Sequence, residues 1–212
     1  MSKLFAVLGA VLFVMGTAKG DPVSLQFTGS VTQVPLDEVF GDINEGDAIV
    51  GSFSYDTSAA DLIPLDPLTG SYTFNAPFGM SVSIGTHSFS TSGSLNIGIL
   101  NGFVTQYSVL ATSETGDLTF EILLQNNSGA IFADDHLPSS APPLAAFDQR
   151  DFHFDGVFDG AEVQADGRIS TLTGQDTPEP KTHVELLAGW FVLVALAFRR
   201  RRLSKAIYQK KE

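Results

Sequence analysis

Bulky apolar and small polar residues alternate with a period of two through most of the chain. Val23, Leu25 and Phe27 alternate with Ser24, Gln26 and Thr28. Ile49, Gly51, Phe53 and Tyr55 alternate with Val50, Ser52 and Ser54, and Met80, Val82 and Ile84 with Ser81 and Ser83. Leu95, Ile97 and Ile99 continue the pattern, followed by Tyr107, Val109 and Ala111 and then Leu118, Phe120, Ile122 and Leu124. Successive side chains of a strand point to opposite faces, so each run predicts a strand with one face in a core and the other in water. Turn chemistry separates the runs: Asn44-Glu45-Gly46-Asp47, Asp66-Pro67-Leu68-Thr69-Gly70, Ile84-Gly85-Thr86, Asn101-Gly102, Thr115-Gly116-Asp117 and Asn126-Asn127-Ser128-Gly129. A Pro-rich connection or lid at 137–147 precedes a last expected strand pair, 152–157 and 162–173.

No part of this middle region sustains a 3.6-residue period, so the expected fold is all-β. Nine or ten short strands at this spacing suggest an antiparallel β-sandwich, jelly-roll-like, with thirteen Phe residues of region 21–180 supplying much of the core. The absence of an internal repeat argues against solenoids and propellers.

The two ends break the alternation. Met1-Ser2-Lys3 precedes twelve uncharged residues, Leu4 to Met15, and then Gly16-Thr17-Ala18-Lys19-Gly20. A basic start, a short apolar helix and small residues at the exit describe a secretory signal peptide, cleaved after Ala18 or after Gly20. Twelve residues reach ~18 Å as a helix, short of the ~30 Å bilayer core that a buried-anchor reading requires. At the other end, Leu186 to Phe198, including Trp190, runs thirteen residues without a charge, and Arg199, Arg200, Arg201 and Arg202 follow. Clustered arginines resist translocation, which orients them toward the cytoplasm and the preceding region outside. The span is ~20 Å, so a plain single-span anchor is the alternative to temporary retention.

Charge sharpens this division. The chain has 212 residues, 43% hydrophobic, and a formal charge of −12. Residues 21–180 hold 22 acidic side chains against Arg150 and Arg168 alone, whereas Lys3 and Lys19 mark the start and eight Lys/Arg mark 181–212. An acidic middle between basic ends reflects handling by a membrane and argues against a nucleic-acid partner, since phosphate contacts need Lys/Arg surfaces. The chain has no cysteine, which excludes disulfides, thiolate metal sites and cysteine nucleophiles.

Pro178-Glu179-Pro180, a short gap, an apolar helix and an Arg cluster follow one another in an order that resembles the PEP-CTERM sorting signal of Gram-negative bacteria. The resemblance implies recognition by an exosortase in the inner membrane, with the C-terminus cytoplasmic, and delivery to the cell surface or to an extracellular, biofilm-type matrix. Glu185 falls at the helix start, where a carboxylate complements the helix dipole. The stretch Gly51-Ser52-Phe53-Ser54-Tyr55-Asp56-Thr57, with Asp66-Pro67 and Gly70-Ser71-Tyr72, is similar to a recurrent ectodomain of such proteins. The expected organisation is therefore a signal peptide (1–20), a β-sandwich ectodomain (21–175), a linker with the tripeptide (176–183), an apolar helix with its Arg cluster (184–202) and a basic tail (203–212).

Catalytic motifs are missing from the sequence, and the expected role is non-enzymatic. The histidines, His87, His136, His153 and His183, show no paired metal-ligand spacing. Alternation puts Asp151, His153 and Asp155 on one strand face, either as a small metal or proton-handling cluster or as a solvated outer face. The expected cofactor is none, with calcium as the alternative because carboxylates and amide oxygens suit it. Its candidate ligands are Asp42, Asn44 and Asp47 in an incomplete calcium-loop pattern, Asp134-Asp135, and the series Asp151, Asp155 and Asp159. A competing binding role is a carbohydrate-binding, lectin-like module for extracellular polysaccharide, with Tyr55, Tyr72 or Tyr107 as an exposed platform.

Overall fold

In the computed structural model, which describes residues 22–37, 41–91 and 93–174, every alternating run forms a strand. The elements are β1 (Pro22–Asp37), β2 (Ala48–Asp56), β3 (Thr69–Phe74), β4 (Gly79–Ile84), β5 (His87–Ser90), β6 (Leu95–Asn101), β7 (Thr105–Thr112), β8 (Leu118–Asn126), β9 (Gln149–Phe158) and β10 (Ala161–Gly174). The described helix content is one 3-10 turn, Leu144–Ala146. The expected signal helix, the tripeptide linker, the apolar segment and the basic tail lie outside the described residues. Among the described residues, no helix is long and apolar enough to cross a membrane.

The ten strands form one antiparallel sheet in the order β3-β6-β7-β8-β9-β10-β1-β2-β4-β5, curled into a half-barrel. This differs from the expectation of two separate sheets. The long central pair β1 and β10 carries register shifts at Thr28/Gly29, Val31/Gln33 and Gln33/Leu36. Bulges bend and twist a strand pair, so the sheet can turn over its own core while the hydrogen-bond ladder stays continuous.

The concave face is the core. Leu25, Phe27, Ile49, Phe53, Ile84, Leu95, Val109, Phe120, Ile122, Phe152 and Phe154 are buried there, and each such side chain contributes roughly 1.5–3 kcal/mol on leaving water. Phe89, from the edge strand β5, crosses the interior to meet Phe154 at 5.0 Å and Phe120 at 5.7 Å between ring centroids. Phe120 and Phe154 stack at 4.9 Å with their planes 11° apart. Gly51 is paired with Phe27, whose ring occupies the space that a Cβ at position 51 would need. At Gly156 the backbone is left-handed, φ 147°, and lies against the Asp117 carbonyl, an approach that only a residue without a side chain permits.

Two strands lay hidden in the sequence. β3 starts inside the Asp66-to-Gly70 turn signal, and β5 has four residues, too few for alternation to register. The connection between β8 and β9 contains the expected Pro-rich segment and covers one end of the curled sheet. Its backbone carbonyls are satisfied from the strands beneath: Tyr55 Oη donates to Pro138 O (2.7 Å), Tyr72 Oη to Asp135 O (3.1 Å), Asn101 Nδ2 to Phe132 O (2.9 Å) and Thr105 Oγ1 to Gly129 O (2.8 Å). Leu137 and Phe147 of the connection are themselves buried in the core.

Candidate functional site

Ionisable side chains gather at three places on this scaffold. The first is the loop before β2. His87 Nε2, at the start of β5, lies 2.5 Å from Asp42 Oδ1, and Thr86 Oγ1 donates to Asp42 Oδ2 at 3.2 Å. The hydrogen bond from His87 is the main reason that the Asp42 carboxyl lies below its ordinary range. Asp47 instead accepts the Asn44 backbone N–H (2.8 Å), and the Asn44 amide donates to the Asp42 carbonyl (2.7 Å). The calcium-loop candidates Asp42, Asn44 and Asp47 thus make hydrogen bonds within their own turn and, through Asp42, to Thr86 and His87.

The second place is the outer face of β8, β9 and β10. Here His153 stands directly opposite Glu121 on one side and Asp166 on the other. Its Nδ1 lies 2.5 Å from Asp166 Oδ1, and its Nε2 lies 3.6 Å from Asp155 Oδ1. Asp151 accepts the Gln149 side-chain amide at 2.6 Å. Asp159 sits apart, in the β9–β10 turn with φ 50°. Glu121, Asp151, His153 and Asp166 line a shallow depression of about 360 Å³. Such an arrangement can hold a cationic group or relay a proton along the surface. Alternation identified the face, but the closest partner, Asp166, is thirteen residues away and is brought opposite only by the β9–β10 register.

The third place is the turn Asp134-Asp135-His136 in the covering connection. His136 Nδ1 is 3.3 Å from Asp134 Oδ1 and 3.5 Å from Asp135 Oδ1, and Asp134 Oδ1 also accepts the His136 N–H. Among the described residues, this is the group of His and carboxylate side chains that brings three ligand atoms within 4.8 Å of one another. Asp61 approaches from the loop before β3, anchored by the N–H groups of Ser71 (2.8 Å) and Ile63 (3.0 Å). Desolvation raises its pKa, but those two hydrogen bonds and the His136 charge outweigh it and leave the carboxyl below its ordinary range. Tyr72, beneath the turn, is pushed up to about 12 by desolvation and by the charges of Asp61, Asp135 and Asp134. Sequence reasoning singled out Asp134 and Asp135 but missed His136, the next residue in the chain, and Asp61, which comes near only through folding.

The tyrosines proposed as a glycan platform are core residues. Tyr55, Tyr72 and Tyr107 expose 0%, 3% and 0% of their surface, so their inward alternation outweighs the amphipathic character that makes tyrosine a common surface contact. Burial pushes the Tyr55 hydroxyl up to about 12 and the Tyr107 hydroxyl well above its ordinary value. A surface depression of about 520 Å³ lies over β1, β2, β4 and β5, where small hydroxyls form cross-strand pairs, Ser52 with Ser81 (3.0 Å) and Ser83 with Ser88 (2.8 Å). No protein-family model matches the chain, and neither a curated protein nor a solved structure matches it.

Proposed function

We propose that the chain is an exported, non-enzymatic surface or extracellular-matrix protein whose C-terminal segment acts as a PEP-CTERM-like sorting signal handled by an exosortase. The reading rests on one arrangement in the sequence: Pro178-Glu179-Pro180, the apolar run ending at Phe198 and Arg199 to Arg202, paired with a signal-like N-terminus. The limits of the β-domain support it. The first strand begins at Pro22, just past either cleavage point, and the last ends at Gly174, four positions before Pro178. Removal of both ends would leave the ten-stranded sheet whole. In this reading the sheet is a sandwich-like ectodomain, with Phe89 of one half packed on Phe120 and Phe154 of the other.

The route is export by the signal peptide, an inner-membrane stage with the arginines cytoplasmic, and then release to the surface or matrix. A domain with 22 acidic residues against two arginines over 21–180 stays soluble and repels anionic polymers unless divalent cations bridge them. Fractionation of cells expressing the chain with Arg199 to Arg202 replaced by Ser tests the sorting step. Altered distribution, together with a mature mass lacking both ends, is the expected result. An unchanged distribution with an intact C-terminus in the mature protein would leave a plain membrane anchor, the second reading, which the positive-inside pattern supports equally.

A further inference from the structure

We propose that the loop 62–68 and the β6–β7 turn at Phe103 form an apolar tip by which the β-domain inserts into a zwitterionic lipid surface. The inference deepens the membrane stage of the sorting reading and rests on it. Its basis is where the exposed apolar side chains lie. Among the described residues, six of the nine large hydrophobic side chains left open to solvent are Leu62, Ile63, Leu65, Leu68, Leu100 and Phe103. Leu65 and Phe103 are each 97% exposed, so they stand out from the surface rather than line a groove. The two loops are neighbours: Thr69 pairs with Leu100, and the Asn101 N–H donates to the Leu68 carbonyl at 2.8 Å. Exposed apolar side chains gathered in this way mark a contact with a protein or a membrane.

The longer loop keeps its polar groups to itself. The Leu62 N–H donates to the Ser71 carbonyl at 2.8 Å, and Asp61 Oδ1 accepts the N–H groups of Ile63 and Ser71. Asp66 Oδ1 accepts the Leu68 N–H at 3.0 Å, and the Asp66 N–H donates to the Ile63 carbonyl at 3.1 Å. Backbone groups are thus bonded within the domain while the leucines stay open to solvent. A lipid interface requires this, because hydrocarbon offers no hydrogen-bond partners.

Topology and charge select a lipid surface as the occupant. The pairs Thr105–Asn126, Gln125–Gln149 and Asp151–Arg168 run from the Phe103 turn to the C-terminal end of β10. Leu25 opposite Gly174 puts the start of β1 at that end as well. The chain therefore enters and leaves the sheet at the end that carries Phe103, and its sequence goes on to the apolar run from Leu186. A domain tethered to a bilayer from this end meets the lipid with the tip. Protruding side chains need a matching pocket in a protein partner, whereas fluid lipid yields around them. Neither 61–68 nor 100–104 holds a Lys or Arg, and Asp61 and Asp66 lie in the first. Anionic headgroups therefore exert no attraction on the tip, and apolar burial to a depth of ~5–10 Å, at the headgroup boundary, carries the contact.

The test measures where the two loops sit in a membrane. The chain has no cysteine, so Leu65→Cys, Phe103→Cys and Thr115→Cys each accept one thiol-reactive fluorophore. Thr115 is exposed in the β7–β8 turn, at the opposite end of the same strands. Each labelled full-length chain is reconstituted into phosphatidylcholine vesicles and checked by flotation and by circular dichroism. We expect brominated phosphatidylcholine to quench the labels at 65 and 103, and aqueous iodide to quench them several-fold less than the label at 115. Phe103→Ser in the Leu65→Cys chain should return part of the iodide access at 65. Equal iodide quenching at all three positions on floating, folded chains would overturn the tip and leave the sorting reading intact. Shielding from iodide without quenching by brominated lipid would mean that protein, such as a second copy, covers the loops, and would overturn the lipid surface. A chain that does not float would overturn the membrane stage and the tip with it.

Discussion

Tyr55 Oη donates a 2.7 Å hydrogen bond to the carbonyl of Pro138, and through it strand β2 holds the long β8–β9 connection against the core. The donor is fully buried, so its loss is not made good by solvent. Tyr55→Phe keeps the ring and leaves the Pro138 carbonyl without this partner. We expect a loss of about 1–3 kcal/mol in unfolding free energy, read from the urea midpoint at constant m-value. An unchanged midpoint would mean that the connection is held by apolar contacts alone.

The same tyrosine sets an alkaline limit. Its folded pKa is raised from the usual 10 to about 12 by burial. Below pH 10 both folded and unfolded chains keep the proton, and the contribution is fully present. Between pH 10 and 12 the unfolded chain releases the proton while the folded chain retains it, so stability falls as pH rises. The slope is about 1.4 kcal/mol per pH unit for each such group. Tyr107, raised in the same direction by complete burial, adds to the decline. Denaturant unfolding from pH 9 to 12 should show it, and the curve for Tyr55→Phe should be shallower. Parallel curves would rule out Tyr55 as a contributor.

Closure of the half-barrel depends on Phe89. Its ring is the contact from edge strand β5 onto the stacked pair Phe120 and Phe154. Phe89→Ala should cost about 3 kcal/mol and raise hydrogen exchange in β4 and β5 ahead of β8 and β9. A double-mutant cycle with Phe154→Leu should give a coupling of about 0.5–1.5 kcal/mol. Additive effects would place the stabilisation elsewhere.

Gly51→Ala probes the ring-over-glycine packing in β2. The added methyl would occupy the position of the Phe27 ring and press on the Ser81 carbonyl. We expect destabilisation of about 1–3 kcal/mol from overpacking. The companion Gly51→Ala with Phe27→Leu should recover part of it, because the smaller side chain frees the space. A neutral single substitution would show that the ring moves aside without cost.

Much of the fold was legible in the chain. Alternation marks an inner and an outer face for each strand, and the inner sets Leu25 and Phe27, Phe53 and Tyr55, and Phe120, Ile122 and Leu124 are the ones buried. Period two is a property of the strand backbone itself, so it survives whatever the strand later pairs with. β5 escaped notice because four residues carry too little pattern, and β3 because Thr69 and Gly70 serve both turn and strand.

The candidate clusters show the limit of that kind of reading. Asp134-Asp135 stands out in the sequence as two adjacent carboxylates. Asp61, some seventy positions earlier, joins it only because the loop before β3 folds against the turn over Tyr72. The His153–Asp166 pair depends likewise on the register of a hairpin whose turn is at Asp159-Gly160.

By itself, then, the sequence determined most of the segments that become strands, all but β3 and β5, which face of each is apolar, and that an acidic middle region lies between two basic, apolar ends. Tertiary structure alone decided that the strands share one curled sheet, that β3 pairs with β6, that the tyrosines turn inward, and which charged groups meet. The reason is range. Side-chain alternation and turn chemistry act over a few residues, whereas strand order, bulged closure and the meeting of His153 with Glu121 and Asp166 follow from packing a common core between segments distant in the chain.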